Sequence, residues 1–398
     1  MRGLEAMLDA LSRAPDAEGA GLRAWDAADR YLLDYAAEEF PDAVGGEVAV
    51  VDDTHGALAL GAHLLGAREV RVHQDSVVGQ RALAGNAARA GVAEPAQHPL
   101  PSVVTPGTSL VLVRMPRSQG RLDAIGRAVA RAAGPEVIVL AGGRVKHMTP
   151  TQNAVLAASF TRVDVAHARA KSRIIVARGP RAGLAPALPM VSQLELRARR
   201  GRSIPGGGAL APATSTPDAA ITVVAVPGVF AGASLDIGTR ALLATFDSAA
   251  PDALPHYERA IDLACGTGIV AVALALRNPR ARILASDVSV IAVESARLTA
   301  EANGVRFETR HDDGLSTEPD ASADLVVLNP PFHAGAAVTT EIAHRLFADA
   351  ARVLRPGGEL RVVWNSHLGY RPVLERLVGP TRQLARTPKF TVTASRRA

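Results

Sequence analysis

The chain has 398 residues, 48% of them hydrophobic and 21% charged, with a formal net charge of +5. These proportions exclude a disordered polymer, and the length makes two domains the first expectation. The longest apolar run, Ile269–Leu276, stops at Arg277, short of a bilayer span. The N-terminus lacks a signal-peptide pattern and the single cysteine, Cys265, makes no internal disulfide, so a cytoplasmic protein without membrane or metal partners is expected.

In chain order, the first half alternates β-branched runs with alanine-rich amphipathic stretches. Val48–Asp52 opens VAVVDDTHGALALGAHLL, and EVRVHQDSVVGQRALAGNAARAGV, LVLVRMPRS and VIVLAGG follow. Residues 162–202 then carry ten Lys/Arg against two acids. A second basic stretch, 371–398, carries seven against one. Such segregation suits a surface that tracks phosphates, and a solvated basic linker explains it equally well. Three lysines against 41 arginines is the bias a GC-rich genome produces without function. Residues 179–220 are dense in Pro, Gly, Ala and Ser, which weakens helix and strand alike. The expected organisation is therefore a domain over 1–180, a linker over 181–220 and a second domain over 221–398. Leu194–Arg200 could form a strand or short helix inside that linker.

The second half places strands at Arg259–Leu263, Arg282–Ser286, Asp324–Leu328 and Glu359–Trp364, with a further one in VRFETR. Helical patterns lie between them at Ile269–Arg277, Val290–Asn303 and Thr340–Val353. Alternating strands and helices with short connections predict an α/β fold with a doubly wound, mostly parallel sheet. Lys389–Ser395 alternates as an edge strand would.

The two halves repeat one another. VAVVDDTHGALALGAHLL lies over IDLACGTGIVAVALAL, and the interval Asp52 to Asp75 nearly equals Asp262 to Asp287. LVLVRMPRS matches LVVLNPPFH and VIVLAGG matches LRVVWN. Four segments in one order indicate a tandem duplication. The copies differ where chemistry would sit: the first keeps Gly56 where the second has Gly266 and Gly268, and has Arg114-Met115-Pro116 in place of Asn329-Pro330-Pro331. The N-terminal copy is expected to be degenerate.

In IDLACGTGIVA a strand leads through glycines into a helix, the turn that lets a backbone approach a ligand closely. The pattern also fits a dinucleotide site, with Asp287 at the ribose distance. Asp262 argues against that reading, because an acid there repels a pyrophosphate and attracts a cationic amine. S-adenosylmethionine (SAM) has such an amine and no phosphates. Ala264, Gly266, Thr267 and Gly268 are the expected loop contacts. Asp287, with Val288 beside it, would accept the ribose hydroxyls. Asp313 is preferred for the adenine amine, with Asp312 in reserve. Any one acid here reads more readily as an exposed loop residue or a helix cap; three after successive strands read as a site.

Asn329-Pro330-Pro331-Phe332 follows the strand DLVVL. An exocyclic amine on a ring is a poor nucleophile because its lone pair is delocalised. If its N–H groups donate to the Asn329 side-chain oxygen and the Pro330 carbonyl, the lone pair can turn towards a methyl donor. Proline rigidity fixes that carbonyl, and Phe332 offers a face for a flipped base. His333 reads as a rim residue. No histidine spacing suits a metal.

These residues together resemble class I SAM-dependent methyltransferases, and more closely the bacterial two-domain ribosomal RNA guanine-N2 methyltransferases. The resemblance covers nearly the whole chain outside the linker: Pro227-Gly228-Val229-Phe230, Leu235-Asp236-Ile237-Gly238, DLACGTG, NPPFH and the final KFTV. LRAWDAADRYLL and NSHLGY resemble the large-subunit enzymes, which implies a guanine in 23S rather than 16S rRNA. It also implies that the first domain grips RNA, and that Phe230, Gly238 and Asn329 lie near the cofactor. Asp312-Asp313 stands where the family often carries asparagine. A ribosomal RNA or subunit is the expected partner, and two domains in one chain are compatible with a monomer. Competing readings are a glutamine-amide methyltransferase, a DNA adenine methyltransferase, a non-catalytic RNA-binding assembly factor and, most distantly, an oxidoreductase.

Overall fold

A computed structural model describes residues 2–19, 21–195, 220–246, 253–331 and 336–398. The chain divides into two compact units, Met1–Leu188 and Pro189–Ala398. The first contains β1 (Glu47–Val51), β2 (Glu69–His73), β3 (Ala96–Gln97), β4 (Thr108–Arg114), β5 (Ile138–Arg144), β6 (Phe160–Val165) and β7 (Ser172–Pro180). The second contains a hairpin, β8 (Met190–Glu195) and β9 (Ala220–Ala225). Its main sheet has β10 (Arg259–Leu263), β11 (Arg282–Asp287), β12 (Glu308–His311), β13 (Ala323–Leu328), β14 (Leu354–Asn365), β15 (Thr381–Arg386) and β16 (Phe390–Arg396).

The sheet orders are β3-β2-β1-β4-β5-β7-β6 and β12-β11-β10-β13-β14-β16-β15, one topology written twice. In each, the first five strands pair in parallel, and the sixth, β7 or β16, runs antiparallel to both of its neighbours. The central strands are apolar on both faces because helices cover both. In β1, Val48 and Val50 enter one core while Ala49 and Val51 enter the other. In β13, Leu325 and Val327 face one core and Val326 and Leu328 the other.

Three expectations need correction. The stretch 181–220 is not linker throughout: Met190–Glu195 pairs with Ala220–Ala225, while 196–219, with most of Leu194–Arg200, lie outside the described residues. The hairpin has a partner that composition does not reveal. The N–H groups of Thr222, Val224 and Val226 donate to Asn303 Oδ1, Thr299 Oγ1 and Ser295 Oγ at 2.9–3.0 Å. Alternate strand residues thus meet every fourth residue along helix Val290–Ala302 and its C-cap. The last strand is also not an edge: β16 lies between β14 and β15. Its alternating Thr391, Thr393 and Ser395 are buried hydroxyls bonded to Ser366, Trp364 and Thr381, so polarity there marks satisfied interior groups rather than solvent.

The third correction concerns the register of the duplication. Val51 pairs with His73 and Leu263 with Ser286, so Gln74, not Asp75, occupies the place of Asp287. Likewise Asp52 corresponds to Ala264, not Asp262; both take left-handed backbone angles, φ 60° and 58°. Equal spacing of acids therefore misaligns the copies by one or two residues.

Candidate active site

The glycine loop lies between β10 and helix Ile269–Arg277 in the second unit. Gly268 caps that helix with φ 74°. A Cβ on Gly268 would lie 2.7 Å from the Ala296 Cβ, so helix Val290–Ala302 requires glycine there. Gly266, with φ 54°, has nothing within 4 Å of where its Cβ would stand. Gly268 is needed for packing, and Gly266 keeps a clear approach to the loop.

Asp287 ties this loop to the next. Its Oδ2 accepts the Gly266 N–H at 2.9 Å and its Oδ1 accepts the Ser289 N–H at 3.0 Å. A carboxylate has lone pairs to spare beyond two such bonds, so the arrangement fits a diol arriving above Gly266. Val288, next to it, is exposed, and its carbonyl contacts His311 Nε2 at 2.8 Å. Thr267 is buried within the turn.

Asp262 is buried, and its Oδ2 accepts the N–H of Ala271, the third residue of the following helix, at 2.9 Å. Burial pushes its carboxyl well above the ordinary range; the Ala271 bond opposes this and Asp287 adds to it. Its visible work is to fix the helix start. Cys265, buried beside these acids, has its thiol pushed well up by burial.

Asp312 is also an internal residue. It accepts from the Ser316 and Thr317 hydroxyls and from the backbone N–H groups of Asp313 and Thr317. Burial would raise its pKa, but these bonds together hold it below the ordinary value. Asp313 instead pairs with Arg345 at 2.7 Å.

Asn329 immediately follows β13. Its Nδ2 donates to Thr239 Oγ1 at 2.9 Å and to Asp236 Oδ2 at 3.2 Å. Its Oδ1 is buried and has no hydrogen-bond partner among the described residues. Gly238 sits against that oxygen, since a Cβ there would stand 3.4 Å from it. Pro330 is buried and Pro331 exposed; Phe332 and His333 lie outside the described residues. Phe230 is exposed in the turn after β9, while neighbouring Val229 packs with Ala292. Among the described residues no cluster of His, Cys, Asp or Glu could hold a metal, and no helix is long and apolar enough to cross a membrane.

Sequence reading missed Asp236 and Thr239. Asp236 caps helix Ile237–Leu243, accepting the Gly238 and Thr239 N–H groups. The signal was present in the duplication. The first unit starts a helix at Asp26, and Asp26 and Asp29 grip Arg114, the residue at the end of β4.

Two α/β sheets of one topology, with a glycine loop and an Asn-Pro-Pro turn on the second, define a duplicated SAM-dependent methyltransferase fold. Residues 220–394 match the methyltransferase small domain family, and residues 5–181 match the RLMG N-terminal domain family. The chain is 38% identical over 390 residues to the ribosomal RNA large subunit methyltransferase G of Streptomyces coelicolor, with 96% of each covered. It is 34% identical over 406 residues to that of Pseudomonas fluorescens, with 98% of each covered. Among solved structures, an N2 methyltransferase of 16S rRNA from T. thermophilus, in complex with AdoMet and guanosine, shares the fold. Its TM-score is 0.74 at 23% identity, covering 95% of this chain and 94% of that one. The chain belongs to the ribosomal RNA large subunit methyltransferase G family.

Proposed function

We propose that this chain transfers a methyl group from SAM to the exocyclic N2 of a guanine in ribosomal RNA, in 23S rather than 16S rRNA. The observation that carries the chemistry is the buried, unpartnered Asn329 Oδ1 at the end of β13, beside β10 and the aspartate-tied glycine loop that follows it. An unsatisfied buried acceptor is costly, and this one stands beside the glycine loop, where a donor arriving from outside would satisfy it. The guanine N2 amine is such a donor.

In this reading Ala264, Gly266, Thr267 and Gly268 cradle the cofactor, Asp287 accepts its ribose hydroxyls, and Val288 and Asp313 flank its adenine. Asp262 and Asp312 act chiefly by fixing the helix and turn that carry those contacts. Bound there, SAM supplies an electrophilic sulfonium methyl. Asn329 Oδ1 and the Pro330 carbonyl accept the two amine hydrogens, which turns the nitrogen lone pair out of conjugation and towards that methyl. Phe332 stacks on the base, and Phe230 and Gly238 border the site. As N–CH3 forms and S–CH3 breaks, the surplus proton on nitrogen leaves to water; an amide is no base, so Asn329 contributes orientation. The first unit contributes grip on RNA through basic residues in 162–181, and the protein works in the cytoplasm.

The test is methyl transfer from labelled SAM to unmodified 23S rRNA, 16S rRNA and both subunits, with nucleoside analysis of the product. N2-methylguanosine in 23S rRNA, absent with Asn329→Ala, is the expected result. Label in 16S rRNA alone would overturn the choice of subunit. Label in protein and in no RNA would replace the reading with amide methylation.

A further inference from the structure

We infer that Asp236 and Thr239 are positioning residues for methyl transfer: together they orient the Asn329 carboxamide so that its oxygen, not its nitrogen, faces the substrate amine. This rests on the function proposed above and deepens it. An asparagine side chain is nearly symmetrical, and only its partners decide which end points where. Turned over, Asn329 would present an NH2 group to the guanine amine, donor against donor, and catalysis would fail.

The geometry fixes the choice. A carboxylate accepts and cannot donate, so the Asn329 atom 3.2 Å from Asp236 Oδ2 has to be the nitrogen. The same Asp236 oxygen already receives the Gly238 and Thr239 N–H groups at 2.8 and 3.2 Å, which locks it in place at the helix start. Thr239 Oγ1, one turn along, takes the amide's second hydrogen at 2.9 Å. Both Nδ2 hydrogens are then used and Oδ1 is left alone. Gly238, between the two gripping residues, leaves room for the clamp, because a Cβ there would stand 2.9 Å from Asp236 Oδ2 and 3.4 Å from Asn329 Oδ1.

The first unit shows that this grip belongs to the architecture. Asp26 caps helix Ala27–Glu39, and Asp29 lies three residues on, as Thr239 does from Asp236. That pair holds Arg114, which stands at Asn329's place after the equivalent strand, at 2.6–3.0 Å. Two carboxylates suit an arginine, whose charge they neutralise. One carboxylate and one hydroxyl suit an amide NH2, which carries two hydrogens and no charge. The second unit has a clamp matched to the group it must orient.

The test uses the full chain with unmodified 23S rRNA and saturating SAM, alongside calorimetric measurement of SAM affinity. Thr239→Val removes one acceptor while keeping the side chain's shape. Asp236→Ser keeps a good helix cap on a side chain too short to reach Asn329. We expect kcat to fall about tenfold for the first and about a hundredfold for the second, with SAM affinity held within about twofold. Thr239→Ser, which restores the hydroxyl, returns kcat to the wild-type level. Wild-type kcat in both Thr239→Val and Asp236→Ser would overturn the inference. So would a loss confined to SAM affinity, or one that Thr239→Ser fails to repair. If the wild-type chain makes no N2-methylguanosine in any RNA, the proposed function falls first and the positioning role with it.

Discussion

The two units share a strand order, a left-handed glycine at the start of the first crossover helix, and a buried carboxylate that accepts the N–H three residues beyond that glycine. Asp53 does this for Ala59 as Asp262 does for Ala271, and burial raises both acids. The contrast lies in what the strand ends do. In the first unit they bond to one another. Arg114 is held by Asp26, Asp29 and the Thr54 hydroxyl, and Gln74 at the place of Asp287 bonds the Asp53 carbonyl and the Ser76 N–H. In the second unit Asn329 keeps an oxygen open and Gly266 keeps its front clear. The core and the helix caps preserve a fold through duplication, while the residue that ends β4 or β13 differs: Arg114 is fully engaged and Asn329 keeps its oxygen open.

The sharpest contrast is at the strand ends themselves. Asn329→Ala is expected to cut methyl transfer about a thousandfold while SAM still binds, since the acceptor acts on the nucleophile and not on the cofactor. Arg114→Met should leave transfer chemistry intact but strand Asp29, whose side chain is fully buried. Denaturant unfolding should then show the first unit destabilised by about 3 kcal/mol. A loss of SAM affinity in Arg114→Met would break the comparison.

A smaller effect separates the two glycines of the loop. Gly268→Ala would push a Cβ to 2.7 Å from Ala296 and should lower the second unit's melting temperature. Its cost is about 1–3 kcal/mol, clash and left-handed strain together. Gly266→Ala meets no atom within 4 Å. At φ 54° its cost is the left-handed strain alone, about 1 kcal/mol, so calorimetry should show weakened SAM binding with a smaller fall in melting than Gly268→Ala. Equal loss of stability in both variants would contradict the division of labour.

The smallest effect is a pH dependence in the first unit. Burial pushes the Asp29 carboxyl up to about 6 against the pull of Arg114, with Asp26 and Asp53 adding to the rise. A raised folded pKa means that its contribution is full below the ordinary carboxyl value and lost as pH rises through about 6. Asp29→Asn mimics the protonated acid. The stability difference between wild type and Asp29→Asn should therefore shift against the wild type by about 1–3 kcal/mol between pH 4 and pH 7, measured by parallel melts. A difference flat across that range would refute the raised pKa.

The central strands and the glycine loop were legible in the sequence because both carry local signals: unbroken β-branched runs, and glycines at fixed offsets from them. Asn329-Pro330 was legible for the same reason. Asp236 and Thr239 were not, because their role is a contact with a side chain 93 and 90 residues away. Their counterparts Asp26 and Asp29 sit in a stretch whose resemblance to the family was visible but whose purpose was not. The hairpin of β8 and β9 was hidden because its backbone donors go to helix side chains rather than to a neighbouring strand of the sheet. Asp312 read as a reserve partner for the adenine amine because burial leaves no mark on a short polar segment; four internal bonds make it part of the turn.

The central claim is that duplication left one working cofactor site per chain, on the second unit. Titration of the full chain with SAM by calorimetry measures this directly. The account predicts one molecule bound per chain, weakened by Gly266→Ala and unchanged by Arg114→Met. Two molecules per chain, or one that Arg114→Met displaces, would contradict it.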